Sequence, residues 1–178
     1  MKVRDTGAIE LLLTHNRGDD PESKIIAGTS RGTRTVWKST SRDDGLTWSK
    51  PEEITAAAKK PNWTWYATGP GAGIQLRSGR LVVPCDHVEA GTRRRGSHII
   101  FSDDRGATWR LGGSTGPEAD ECEVVERTDG SLLLNIRNYN RKLPCRMTSI
   151  SPDGGISWSA PAFDKTLVEP ICQASIRR

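Results

Sequence analysis

Glu121 and Arg137 are the two residues of this sequence whose types and spacing best suit them to act together on a ligand. They lie 16 residues apart in a stretch, 120–138, that reads as two strands around a turn at Thr128-Asp129-Gly130. Because the strands of a hairpin run out and back, residues near its open ends meet at one rim. There a guanidinium can hold a carboxylate and a carboxylate can accept a proton. On spacing alone, a surface ion pair worth at most about 1 kcal/mol is an equal alternative.

An eight-residue box, S-x-D-x-G-x-[T/S]-W, occurs three times, at 41–48, 102–109 and 151–158. These residue types suit a tight turn between two strands. The Asp carboxylate accepts backbone N–H groups, the Gly takes a positive φ, and the Trp is buried as the next strand begins. The box therefore predicts a repeated structural turn and says little by itself about chemistry.

The residues around the second and third boxes follow one template, in the order strand, Gly turn, strand, loop, strand and box. With the strand that begins at the Trp, this predicts a four-stranded sheet for each repeat. The first repeat matches from its Gly turn at Asp5-Thr6-Gly7 and has no first strand, while Glu169–Ile176 matches only a first strand of a fourth repeat. Because a ring of sheets must close to hide its edges, we expect a partial ring completed by further blades of the same protein.

The three boxes and the 120–138 segment together resemble the Asp-box β-propellers of the bacterial exo-α-sialidases, over nearly the whole chain. The resemblance implies an all-β propeller domain over residues 1–178, with about three blades of a six-bladed ring. It also implies a retaining glycoside hydrolase that releases terminal sialic acid, from a sialylated glycan or a related acidic sugar, without a metal or an organic cofactor. A non-catalytic Asp-box propeller that binds glycans or proteins is the alternative.

Within that resemblance, Glu121 matches the carboxylate that activates a nucleophilic Tyr, and Arg137 matches the second of three arginines that hold the substrate carboxylate. The other two arginines and the Tyr are expected outside this chain, which alone should lack appreciable activity. Asp20, in the loop 16–33, is a candidate general acid, with a solvated loop charge as its alternative.

Three further residues are candidates for shaping the sugar pocket. Trp63 and Tyr66 belong to the aromatic and glycine-rich stretch 61–73, which reads as a loop on the substrate rim. Asp86 follows the second strand of its repeat, at a position analogous to that of Arg137. Aromatic packing between blades is an equal alternative for these residues.

Composition limits the other classes of function. The net charge is +4, but the basic residues are scattered, and the densest run, Arg93-Arg94-Arg95, falls in a predicted loop, so nucleic-acid binding is not expected. No apolar run is long enough to span a membrane. The four cysteines contain no C-x-x-C pair and the three histidines are widely spaced, which argues against a metal site and favours free, buried thiols.

Overall fold

The computed structural model describes residues 1–140 and 142–178 and consists mainly of antiparallel sheets. The first sheet contains, in spatial order, β1 (Ile9–His15), β2 (Thr35–Ser41) and β3 (Glu52–Glu53). The second contains β4 (Trp63–Thr68), β6 (Leu81–Glu89), β7 (Arg95–Ser102) and β8 (Arg110–Ser114), with β5 (Ile74–Gln75) also paired to β6. The third contains β12 (Ala162–Val168), β11 (Cys145–Ser151), β10 (Leu132–Asn138) and β9 (Ala119–Glu126). Two helices are short: α1 (Glu22–Ala27) connects β1 to β2, and α2 (Thr55–Ala58) lies between β3 and β4, where the chain passes from the first sheet to the second.

The three sheets pack face to face in chain order and form successive blades of an all-β propeller. One hydrophobic cluster lies between the first and second blades and another between the second and third. Ile100 belongs to the former and its neighbour Ile99 to the latter, because adjacent side chains of a strand point to opposite faces. Both faces of β7 are therefore covered, and burying each Ile contributes about 1.5–3 kcal/mol.

Each box is held in its turn by hydrogen bonds among its own residues. In the second box, the Ser102 hydroxyl accepts the Gly106 N–H at 2.8 Å and donates to Asp104 at 2.8 Å. Asp104 in turn accepts the Thr108 N–H at 2.8 Å, and Gly106 has a φ of 91°. The other two boxes repeat these contacts, and in the third, hydrogen bonds from Ser157 lower the pKa of Asp153 to about 2. The predicted turn chemistry is present in all three.

The box tryptophans differ in burial. Trp109 is buried in the cluster between the first two blades, and Trp158 packs against the cluster between the second and third. Trp158 is only partly buried and Trp48 is 42% exposed, so the expectation that every box Trp is buried is correct only for the second box. Trp109 and Trp158 each face the preceding blade, and in the described part of the chain no sheet precedes the first.

Cations of one blade bind carbonyl groups of the next blade's box. Lys38 of the first blade donates to Gly106 and Ala107 in the second box, at 3.1 and 2.8 Å. Arg80 of the second blade donates to Gly154 in the third box at 3.0 Å. The boxes therefore also receive contacts that join neighbouring blades.

Two predicted elements differ from the structure. Residues Trp63–Thr68, expected in a loop, form β4 and pair with β6, in keeping with the high strand propensity of aromatic residues. Residues Glu169–Ile176, expected as a first strand, form none, because no described strand lies beside them to complete a ladder. Instead, Glu169 turns inward and accepts the Asn138 N–H at 2.8 Å.

The helices are short: in the described part of the chain, none has the length and apolar character needed to cross a membrane.

Candidate active site

Glu121 and Arg137 lie next to each other on neighbouring strands, at the rim where β9 begins and β10 ends. Ile136 pairs with Cys122 and Asn138 with Ala119, so two residues of β9, Asp120 and Glu121, oppose Arg137 alone. This arrangement is a β-bulge, which redirects side chains at a sheet end. The hairpin prediction that brought Glu121 and Arg137 together is confirmed by this geometry.

The Glu121 carboxylate accepts a hydrogen bond from Nη1 of Arg137. The two side chains are 24% and 19% exposed, so the pair is shielded but open to a ligand. Burial lowers the pKa of Arg137, whereas the hydrogen bond and the charge of Glu121 raise it, with a net result above its ordinary value. The arrangement offers a permanently charged fork for an anion, with a proton acceptor beside it.

Tyr139 lies between two arginines at this rim. The guanidinium carbon of Arg137 is 4.4 Å from the centre of the Tyr139 ring, and that of Arg95 is 4.8 Å away. Arg95 also forms an ion pair of 2.5 Å with Asp120. Burial and the charge of Asp120 raise the pKa of Tyr139, which disfavours its phenolate. Tyr139 therefore packs against two guanidinium groups, and its environment favours the neutral phenol.

Asp86 lies on β6 opposite Ser97 and is 2% exposed. Burial, followed by the negative charges of Asp120 and Glu121, raises the pKa of Asp86 well above its ordinary value. Its Oδ2 has no hydrogen-bond partner among the described residues. Asp86 thus sits in the electrostatic field of the site, and its environment favours the neutral acid, but its burial separates it from bulk solvent.

Trp63 and Tyr66 do not line the rim. Trp63 is 2% exposed and Tyr66 is fully buried, and both belong to the cluster between the first two blades. Trp63 stacks on His87 with ring centres 3.6 Å apart, and Tyr66 meets His98 edge to face. The expectation that these aromatic side chains shape a sugar pocket is wrong for this structure, and packing between blades accounts for them.

Asp20 serves its own loop. Its two carboxylate oxygens accept the N–H groups of Arg31 and Gly32, each at 3.0 Å, and the side chain is buried. No hydrogen bond or ion pair connects it to Glu121 or Arg137 among the described residues. These contacts account for Asp20 as a structural group that closes the loop.

Three residues at this rim, Arg95, Asp120 and Tyr139, are not among those expected there from their sequence pattern. Arg95 was placed in a solvated loop, but it is the first residue of β7 and pairs with Asp120 of the next blade. The sequence did contain a signal, which was the order of the strands. In that order, β7 of the second blade and β9 of the third begin at the same rim of the propeller. No group of three His, Cys, Asp or Glu within residues 1–140 and 142–178 could hold a metal ion.

All four cysteines are free thiols in the structure. Cys85, Cys122 and Cys145 are buried, while Cys172 is exposed. Burial raises the pKa of Cys85 to about 12. The three buried thiols therefore behave as small apolar side chains between strands.

Comparison with known proteins shows which family this chain matches. A family model described as "BNR repeat-like domain" matches residues 10–172. A sialidase of Bacteroides fragilis is 36% identical over 137 residues, which cover 76% of this chain and 25% of that protein. Human sialidase-3 is 33% identical over 192 residues, covering 96% of this chain and 44% of that protein. The chain thus spans less than half the length of each.

Solved structures agree with this match. The Hadza microbial sialidase Hz136 superimposes with a TM-score of 0.83 at 31% identity, over 96% of this chain and 34% of that one. The intramolecular trans-sialidase of Ruminococcus gnavus, solved with oseltamivir carboxylate, gives a TM-score of 0.63 at 28% identity, over 76% of this chain and 28% of that one.

Proposed function

Starting from the fact that this chain belongs to the sialidase family, we propose that it forms part of a retaining exo-α-sialidase that removes terminal sialic acid, or a related acidic sugar, from glycans. The observation that carries the proposal is the shielded Glu121–Arg137 pair at the β9–β10 rim. The carboxylate ligand of the Ruminococcus gnavus relative agrees with an acidic substrate.

In the proposed site, Arg137 holds the carboxylate of the sugar. A guanidinium suits this role because it stays charged and presents two parallel N–H groups to a planar anion. Arg137 can bind the sugar carboxylate because Glu121 contacts only its Nη1, and its Nε has no hydrogen-bond partner among the described residues. Substrate binding would then free Glu121 from part of its ion pair, so that it can act as a base.

Glu121 is proposed to accept the phenolic proton of a Tyr as the Tyr oxygen bonds to the anomeric carbon. The glycosidic bond breaks in the same step, and the leaving alcohol takes a proton from a general acid. Water then displaces the Tyr, which recovers its proton from Glu121, while the conjugate base of the general acid takes a proton from the water. Tyr66 is buried in the core and the guanidinium groups of Arg95 and Arg137 lie over the Tyr139 ring, so we assign the nucleophile to a residue outside this chain. Because the Asp20 carboxylate is engaged by N–H groups of its own loop, we assign the general acid outside this chain as well.

The test is turnover of a fluorogenic sialoside by the full protein that contains this chain. Glu121→Gln and Arg137→Ala should each lower kcat/KM by about 100-fold to 10,000-fold, the range typical of a lost general base or anion-binding group. Arg127→Ala, at the opposite end of the same hairpin, is the matched control and should remain near normal. Near-normal turnover by both site variants would end the proposal. A parent protein that binds sialyllactose without turnover would instead support the non-catalytic alternative.

A further inference from the structure

A polar cavity of about 220 Å³ lies beside the Glu121–Arg137 site. Its lining includes Lys60, His87, Glu89, Arg94 and Arg95. Arg95 connects the two places, because it lines the cavity and its guanidinium lies over the Tyr139 ring, as that of Arg137 does. A ligand that occupies the Glu121–Arg137 site could therefore extend a neighbouring group into this cavity.

The lining of the cavity carries an excess of positive charge. It includes three cations, Lys60, Arg94 and Arg95, against one carboxylate, Glu89. Arg95 is partly neutralised by Asp120, but Lys60 and Arg94 form no ion pair with any described residue. Both of these side chains are exposed and thus open to a ligand. Such a set of cations attracts an anion.

His87 forms one wall of the cavity, where its ring is held in a fixed orientation and the neighbouring strand passes close to it. His87 stacks on Trp63, and its Nδ1 lies 3.0 Å from Nδ1 of His98, which fixes the plane of the ring. A Cβ added at Gly96 would lie 2.7 Å from the His87 ring, so a glycine is needed where the strand passes the imidazole. Burial, and then the charge of Lys60, lower the pKa of His87 to about 3, so the imidazole is neutral and the cations carry the charge.

We propose that this cavity binds a single oxyanion of the glycan, either a sulfate ester or a second carboxylate, next to the terminal sugar. Its volume lies below the roughly 300–1,000 Å³ of sites that hold a whole drug-sized ligand, so it suits one charged group. The assignment to a glycan rests on the proposed function, whereas binding of an oxyanion does not.

The test titrates sodium methyl sulfate, and separately sodium acetate, into the 178-residue chain at constant ionic strength, with sodium chloride as the balancing salt. NMR follows the backbone amides of Gly96 and Thr115. We expect saturable shifts at these residues, and the double variant Lys60→Ala/Arg94→Ala should weaken binding about tenfold or more, since it removes two charge-assisted donors. The double variant Arg42→Ala/Arg110→Ala removes the same charge from exposed positions outside the cavity and should bind as the parent does.

Because methyl sulfate and acetate carry the same charge, tighter binding of methyl sulfate would identify a sulfate ester, and the reverse a carboxylate, and either result supports the site. Equal weakening in the two double variants, or the same shifts with chloride alone, would overturn it. Because this readout does not involve turnover, normal activity of both Glu121→Gln and Arg137→Ala would refute the sialidase proposal without deciding whether the cavity binds an oxyanion.

Discussion

Arg146 and Glu169 form the most deeply buried ion pair in the described part of the chain, with side chains 3% and 1% exposed. Arg146 Nη1 lies 3.0 Å from Oε2 of Glu169 and also donates to the Cys172 carbonyl at 3.0 Å. The Glu169 carboxylate in turn accepts backbone N–H groups, including that of Asn138, next to the site. The pair thus anchors the last ten residues beneath the third blade.

Removal of one partner should be costly, because it leaves the other charge buried without compensation. Breaking a buried pair typically costs about 3–5 kcal/mol, a large part of the roughly 5–15 kcal/mol of a whole domain. For a chain of 178 residues, with about 2–4 °C of Tm per kcal/mol, Glu169→Gln or Arg146→Met should lower Tm by roughly 6–20 °C. Urea denaturation followed by circular dichroism, together with calorimetry, measures both quantities.

The control is Arg17→Met, which removes a pair with Asp19 whose side chains are 54% and 50% exposed. It should cost at most about 1 kcal/mol. The double variant Arg146→Met/Glu169→Leu, which removes both charges, should cost less than the sum of the two single losses. If Glu169→Gln costs no more than Arg17→Met, the reasoning from burial is refuted.

Two further predictions concern the boxes and the contacts between blades. Asp153 has a folded pKa of about 2 against an ordinary 3.8, so its stabilisation is complete above about pH 4 and is lost as the pH falls through about 2. Urea midpoints of the parent and of Asp153→Asn should therefore converge over that interval, and a constant gap would contradict this linkage. A Cβ at Gly113 would lie 2.4 Å from the Ile156 carbonyl oxygen, so Gly113→Ala should cost about 1–3 kcal/mol. Gly18→Ala, which meets nothing within 4 Å, should be nearly neutral in the same denaturation assay, and equal losses would contradict the packing argument.

The sequence predicted what short-range geometry determines. The box turns followed from residue types within eight positions, and the proximity of Glu121 and Arg137 followed from one hairpin. What it did not predict depends on how blades pack together. The Arg95–Asp120 pair joins two blades, and the sequence of one repeat does not determine how the next repeat is positioned against it. Trp63 was misplaced for the same reason, since a buried strand rich in aromatic residues and an aromatic loop at a binding rim have similar local sequences.

The self-contained hydrogen bonding of each box has an evolutionary consequence. The Ser, Asp and Gly of a box form their hydrogen bonds with groups inside the same eight residues. A duplicated segment can therefore form its turn without contacts from its new surroundings. Side chains outside the box, such as Lys38 and Arg80, add hydrogen bonds to the box of the next blade. Gene duplication could thus lengthen the chain one blade at a time, while substitutions at these few cationic positions adapt each copy to its new neighbour.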